Sequence, residues 1–259
     1  DDPLRHLARC LTQGFAYQGE VFPYSGEHRG RSTGGVPLTA FLGFLQNHDQ
    51  VGNRAFGERL AHLAPREKLE PLTALFLLAP QPPLLWMGEE WGASAPFQYF
   101  CDFDRELAAL VREGRRQEFA RFPAFADPAL RERIPDPNAL ATFERSKLDW
   151  TERERQPHRD WLALYRECLA LRRAHVVPFV ADGVVDARVE RPSAGELRVE
   201  WRSRGGGVLT LLLNLDERPA TFESPPGAMI WPVVAGELQA VVPPWGAQWY
   251  LQPPRGAAP

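Results

Sequence analysis

The stretch FLGFLQNHDQ, residues 41–50, opens with an apolar run from Phe41 to Gln46 and then stops abruptly in hydrogen-bonding side chains. An apolar run of this length that ends at a polar cluster reads as a short strand, buried on both faces. Outward from it, Pro65 to Ala79 carries Leu69, Leu72, Leu75, Phe76 and Ala79 at helical spacing, with Pro65 suited to a first turn, and so predicts a helix. Pro83 to Met87 is a second apolar run, ending at Gly88-Glu89-Glu90. Strand, helix and strand in that order form one βαβ unit, so the strands are expected to be parallel, with the polar residues at their C-terminal ends on one face. In barrels and in open α/β sheets that face holds the active site.

Further along, Gly92 to Gln156 is long, polar and punctuated by proline, which predicts a helix over Arg105 to Phe119 within a wall or lid of a site. A periodic helix is predicted from Pro157 to Arg173, with Trp161, Leu164, Tyr165, Cys168, Leu169 and Leu171 on a stripe suited to core packing. The chain changes character near residue 175. Strands are predicted over Val184–Val189, Glu196–Arg202, Val208–Leu215, Met229–Val234 and Gln248–Leu251; in the second, Leu197, Val199 and Trp201 share one face and Arg198, Glu200 and Arg202 the other. The expected fold class is α/β plus all-β, divided into residues 1–175 and 176–259, the latter a small antiparallel sandwich of roughly 75 residues.

Composition narrows the function. With 259 residues, 44 % hydrophobic and 24 % charged, the chain is of ordinary globular type, and a net charge of −3 with scattered Lys and Arg lacks the basic face of a nucleic-acid binder. Cys10, Cys101 and Cys168 lie far apart without CxxC spacing, as free thiols in a reducing compartment would. No run approaches the roughly 18 apolar residues of a membrane span, and Asp1-Asp2-Pro3 is unlike a basic signal-peptide start, so the cytoplasm is expected.

The candidate chemistry lies in Gln46-Asn47-His48-Asp49-Gln50, continuing to Asn53 and Arg54. Polar groups after a buried strand must be satisfied, and these suit the binding of hydroxyls. The plainer alternative is a capped turn in which Asn47 and Asp49 bond nearby backbone. His48 and Asp49 are metal-ligand types, but His6, His28, His62, His158 and His175 show no ligand spacing, so no metal or cofactor is expected. No GxSxG elbow or phosphate-binding glycine loop occurs. The second cluster, Gly88-Glu89-Glu90-Trp91-Gly92, sets two carboxylates beside an indole, as a carbohydrate site does. At least one of these glutamates is expected instead to pair with an arginine for structure.

These residues carry a resemblance. FLQNHDQVGNRAFGERL (44–60) resembles the segment after the seventh barrel strand of the α-amylase superfamily, where an NHD triplet holds the third catalytic acid. With PLLWMGEEWG (83–92), PFQYFCDFD (96–104) and VREGRRQEFARF (111–122), it is similar to malto-oligosyltrehalose trehalohydrolases in particular. Leu4 to Phe15 with the following AYQGEVFPYSGEHRG resembles the sixth helix and its loop, LALYRECLALRR (162–173) the last barrel helix, and LTLLLNLDE (209–217) the C-terminal β-domain.

The resemblance implies the last part of a (β/α)8 TIM barrel followed by an antiparallel β-sandwich. It implies hydrolysis of the α-1,4 bond joining a maltooligosaccharide to a terminal trehalose unit, without a cofactor. Asp49 matches the third carboxylate and His48 its neighbouring sugar ligand; Asn47, Gln50, Asn53, Arg54 and Glu90 are assigned to substrate binding or loop shaping. No match to the Arg-x-Asp nucleophile motif or to the general-acid glutamate occurs, so the chain is expected to be a fragment, inactive alone. Its expected partners are the N-terminal part of the same enzyme and maltooligosyltrehalose or a related α-glucan, with neither nucleic acid nor membrane. Two alternatives remain: another α-glucan-active member, such as a branching enzyme or amylase, and an inert glucan-binding module.

Overall fold

A computed structural model describes residues 2–233 and 240–254. In chain order the helices are α1 (Pro3–Gln13), α2 (His48–Gly52), α3 (Leu60–Leu63), α4 (Arg66–Leu78), α5 (Arg105–Ala120), α6 (Pro128–Glu132), α7 (Leu140–Arg145), α8 (His158–Leu171) and α9 (Val177–Ala181). The strands are β1 (Val184–Glu190), β2 (Glu196–Ser203), β3 (Val208–Asn214), β4 (Ala220–Thr221), β5 (Ala228–Trp231), β6 (Val241–Val242) and β7 (Gly246–Gln252). The helices expected over residues 65–79, 105–119 and 157–173 are thus α4, α5 and α8. Val234, at the end of one expected strand, lies outside the described residues. No helix among the described residues is long and apolar enough to cross a membrane.

The chain divides into two units, the first made of residues 1–44, 67–84 and 164–259. Here α1 starts where the Asp2 carboxylate accepts the Arg5 N–H at 3.0 Å, with Pro3 in the first turn. The two apolar runs around residues 43 and 83 differ from the expectation. They meet at a single parallel bridge, Gly43 with Pro83, closed by Gly43 N–H to the Pro82 carbonyl (2.9 Å) and Leu84 N–H to the Gly43 carbonyl (2.8 Å). The direction is the one a βαβ unit requires, but Leu42 is 59 % and Phe44 41 % exposed rather than buried. An extended segment gains ladder bonds and burial only from neighbours on both sides. Among the described residues neither run has a second one, and no closed barrel forms.

The β-region of this unit is a five-stranded antiparallel sheet in the order β1-β2-β3-β7-β5, accompanied by a β4-β6 ribbon. All seven residues of β3 are buried, which accounts for its largely apolar sequence, broken only by Thr210 and Asn214. On one face Leu197, Val199 and Trp201 of β2 pair with Leu213, Leu211 and Leu209 of β3, and Trp201 stacks on Trp249 of β7 (5.5 Å, 12°) while donating Nε1–H to the Leu11 carbonyl of α1 (3.0 Å). On the other, Leu212 and Tyr250 form a cluster with Ala220, Phe222, Ala240 and Val242, the ribbon and its flanks. Each such side chain contributes about 1.5–3 kcal/mol by leaving water. The outward face expected for Arg198 is corrected here. Arg198 is buried, and it bonds the Glu223 carbonyl (2.8 Å) and the Glu200 carboxylate (2.6 Å).

The second unit comprises residues 45–66 and 85–163. Its long second segment folds into α5, α6 and α7 rather than one helix in a loop. Asp104 caps α5 through the N–H groups of Glu106 and Leu107 (3.1 and 3.0 Å), and Asp127 caps α6 through Ala129 N–H (2.9 Å). Ala55, Phe119 and Ile134, with Phe56 and Phe125 against them, form its apolar cluster, which fixes α5 to the chain that follows α2.

Candidate active site

The polar cluster after residue 45 folds into α2, a helix of five residues, too short to persist on local hydrogen bonds alone. Its start is held by its own side chains. Asn47 Oδ1 accepts the Asp49 N–H (2.8 Å), and Gln50 Oε1 accepts the Asn47 N–H (3.0 Å), a reciprocal capping box. The capped-turn alternative therefore describes Asn47 and Gln50. It does not describe the side chains of His48 and Asp49, which are 65 % and 68 % exposed and lie together, Nε2 to Oδ1 3.4 Å. A carboxylate in the first turn also complements the positive end of the helix. Asn53 ends α2 with its N–H on the Asp49 carbonyl (3.1 Å) and leaves its side chain exposed; Arg54 Nε donates to Glu58 (3.3 Å).

An aromatic wall stands beside this pair. The His48 ring lies 5.7 Å from the Trp86 ring, which meets Phe97 edge to face at 4.8 Å. Phe97 is anchored by its N–H on the Gly57 carbonyl (2.8 Å). Gly57 has φ +70, and a Cβ there would come within 2.5 Å of the Phe97 carbonyl carbon, so the approach requires glycine.

The Gly88–Gly92 cluster forms a single tight turn over Glu89–Trp91 between two left-handed glycines. Glu89 is buried and Glu90 half-buried. Facing them is Arg59, only 1 % exposed, whose Nε and Nη1 donate to the Ala95 and Met87 carbonyls at 2.7 Å each. Burial pushes the Arg59 pKa down, and the charges of Glu89, Glu90 and Glu152 push it back up. Glu89 thus takes the structural place beside an arginine that the sequence left open. The same segment is joined to the first cluster by Leu60 N–H donating to Gln46 Oε1 (3.0 Å).

Asn47, His48, Asp49, Gln50, Asn53 and Arg54 are thus gathered on and around α2, while Glu90 lies in the field of Arg59. Sequence reasoning passed over Arg59, Trp86 and Arg115. All three stood in quoted motifs, Trp86 between Leu85 and Met87 and the arginines next to charged residues, but nothing in their local pattern singled them out. Among the described residues no group of three or more His, Cys, Asp or Glu side chains could hold a metal ion. Chemically, His48 and Asp49 offer a donor-acceptor pair for neighbouring hydroxyls beside a ring surface. Retaining glycoside cleavage needs two carboxyl groups about 5–5.5 Å apart. One carboxylate on α2 can serve as a binding or charge-stabilising group but is not by itself that pair.

Residues 186–249 match a family described as a domain of unknown function (DUF3459). The malto-oligosyltrehalose trehalohydrolase of Deinococcus radiodurans is 43 % identical over 169 residues, 64 % of this chain and 28 % of that protein. The protein of the same name from Brevibacterium helvolum is 36 % identical over 258 residues, 95 % of this chain and 41 % of its own length. A crystal structure from Salmonella typhimurium, provisionally assigned as an alpha amylase, superposes with a TM-score of 0.86 at 43 % identity, covering 97 % of this chain and 42 % of the other. The chain therefore spans well under half the length of these relatives.

Proposed function

Since this chain belongs with the malto-oligosyltrehalose trehalohydrolases of the α-amylase superfamily and corresponds to their C-terminal portion, we propose that it supplies the sugar-binding carboxylate of a glycoside hydrolase acting on the α-1,4 bond next to a terminal trehalose unit. The observation that carries this reading is the Asp49–His48 pair, solvent-facing on a short capped helix beside Trp86. In it, Asp49 accepts hydrogen bonds from hydroxyls of the reacting sugar. Those bonds strengthen as the ring gains oxocarbenium character, because a fixed negative charge then faces a developing positive one. His48 bonds an adjacent hydroxyl and needs no charge to do so. Asn47 and Gln50 act through the capping box, and Asn53, Arg54 and Glu90 face the substrate or shape its loop. The nucleophile and general acid come from elsewhere in a longer polypeptide. Residues 1–175 belong to its barrel, and residues 176–259 form a β-domain without catalytic groups. The proposed setting is the cytoplasm, in keeping with three free cysteines.

The test is product analysis with the complete gene product and maltooligosyltrehalose. Free trehalose is the expected product. A second reading, favoured by the alpha-amylase assignment of the Salmonella structure, is cleavage within plain α-glucans. Shortening of maltoheptaose without trehalose release from maltooligosyltrehalose would replace the first reading with the second.

A further inference from the structure

The capping box fixes only the start of α2. The end of so short a helix leaves carbonyl oxygens without intrahelical partners, and unless something holds them the helix frays and carries His48 and Asp49 with it. The structure provides a holder from a distant part of the sequence. Arg115, on α5, donates Nη2 to the Gly52 carbonyl (3.0 Å) and to the Arg54 carbonyl (3.1 Å). A cation at that end also opposes the negative pole of the helix.

The guanidinium is itself held in place. Its carbon lies 4.7 Å from the centre of the Tyr99 ring and 5.5 Å from that of Phe119. Phe119 in turn belongs to the Ala55–Ile134 cluster, so α5 is packed against the residues just beyond α2 before any hydrogen bond is counted. A planar, permanently charged group can bridge two carbonyls from such a slot; an ammonium on a flexible stem can satisfy them only as a point charge.

We propose that Arg115 is a positioning residue for the reaction: by clasping the C-terminal end of α2 it fixes the placement of His48 and Asp49 against the sugar, which makes helix α5 part of the catalytic apparatus. The proposal rests on the sugar-binding role assigned to Asp49 above. It differs from a merely stabilising role in what it does to kinetics. Displacing groups that act in the transition state lowers kcat and leaves KM nearly alone, whereas general loosening lowers the amount of folded enzyme.

The experiment uses the complete enzyme, wild type, Arg115→Ala and Arg115→Lys, with trehalose release and maltoheptaose cleavage followed at a temperature well below each variant's melting point. For Arg115→Ala we expect kcat to fall about tenfold to a hundredfold, the scale on which small misplacements act, with KM little changed. Arg115→Lys is expected to recover part of the loss, and millimolar guanidinium added to Arg115→Ala to restore part of it. Unchanged kcat per folded molecule in both variants, or a loss that tracks only the folded fraction and is not answered by guanidinium, overturns the positioning role while leaving the Asp49 reading intact. A wild-type enzyme active on neither substrate overturns both.

Discussion

Replacing Arg59 by methionine tests whether the turn bearing Glu89 and Glu90 is held by one buried cation. Methionine keeps most of the side-chain length, so the loss is chiefly electrostatic. Two short bonds from a buried charged donor to backbone carbonyls disappear, and the buried Glu89 carboxylate loses the positive charge that faces it. Removing one partner from a buried charged pair costs about 3–5 kcal/mol, because the remaining charge is left uncompensated. Glu90 is half-buried and partly screened by water, so its share is small. We therefore expect about 4 kcal/mol, or a fall of roughly 2 M in the urea midpoint at a slope of about 2 kcal/mol per molar. The assay is urea unfolding of the 259-residue chain followed by tryptophan fluorescence, since Trp86, Trp91, Trp150 and Trp161 all lie in the unit concerned. A cycle with Glu89→Gln sharpens it: the double variant should be more stable than the two single losses together imply, by about 1–3 kcal/mol. A loss below about 1 kcal/mol for Arg59→Met, or a strictly additive cycle, would refute the reasoning.

Three further outcomes are expected. In the complete enzyme, Asp49→Asn lowers kcat about a hundredfold or more while raising KM far less, because its bonds matter most in the transition state; steady-state kinetics with near-full turnover would remove Asp49 from the machinery. The backbone N–H of Gln18 and the side chain of Arg9 hold the Glu20 carboxyl down to about 2, below its ordinary 4.5. The folded pKa being depressed, its stabilisation of the loop is full above pH 4.5 and is lost as pH falls through about 2; a carboxyl midpoint near 4.5 by NMR would contradict this. Burial pushes the Cys168 thiol up to about 12, so iodoacetamide at pH about 8 should label it only after unfolding, and rapid labelling of the native chain, read by mass spectrometry, would show otherwise.

Much of the architecture was legible because burial leaves a periodic trace. Trp161, Tyr165 and Cys168 recur at helical spacing and are buried on α8; Leu197, Val199 and Trp201 alternate and line one face of β2. Alternation failed at Arg198, since it records which side is apolar but not that a carbonyl such as Glu223 O waits on the other. The runs at residues 41–46 and 83–87 were recognisable as parallel neighbours, yet their burial was misread, because burial depends on partners that a local pattern does not contain. Within the site, the cluster around Asp49 was visible, and so in principle was its division of labour. Asn47 and Gln50 have the spacing of a capping box, which assigns them to backbone and leaves the side chains of His48 and Asp49 facing solvent. Arg59 and Arg115 were not readable. An arginine in a polar segment looks solvated, and the carbonyls these two hold lie between 28 and 63 residues away.

The stacked indoles of Trp201 and Trp249 give the β-region an optical signature of its own. Two indole rings stacked with planes 12° apart and centres at 5.5 Å, in a setting closed to water, are close enough for their transitions to couple as an exciton pair. The other six tryptophans of the chain lie outside that stack. A couplet in the ultraviolet circular dichroism would therefore report the register of β2 and β7 about β3, and its loss on heating would time the opening of that sheet separately from the fluorescence of the indoles near Arg59.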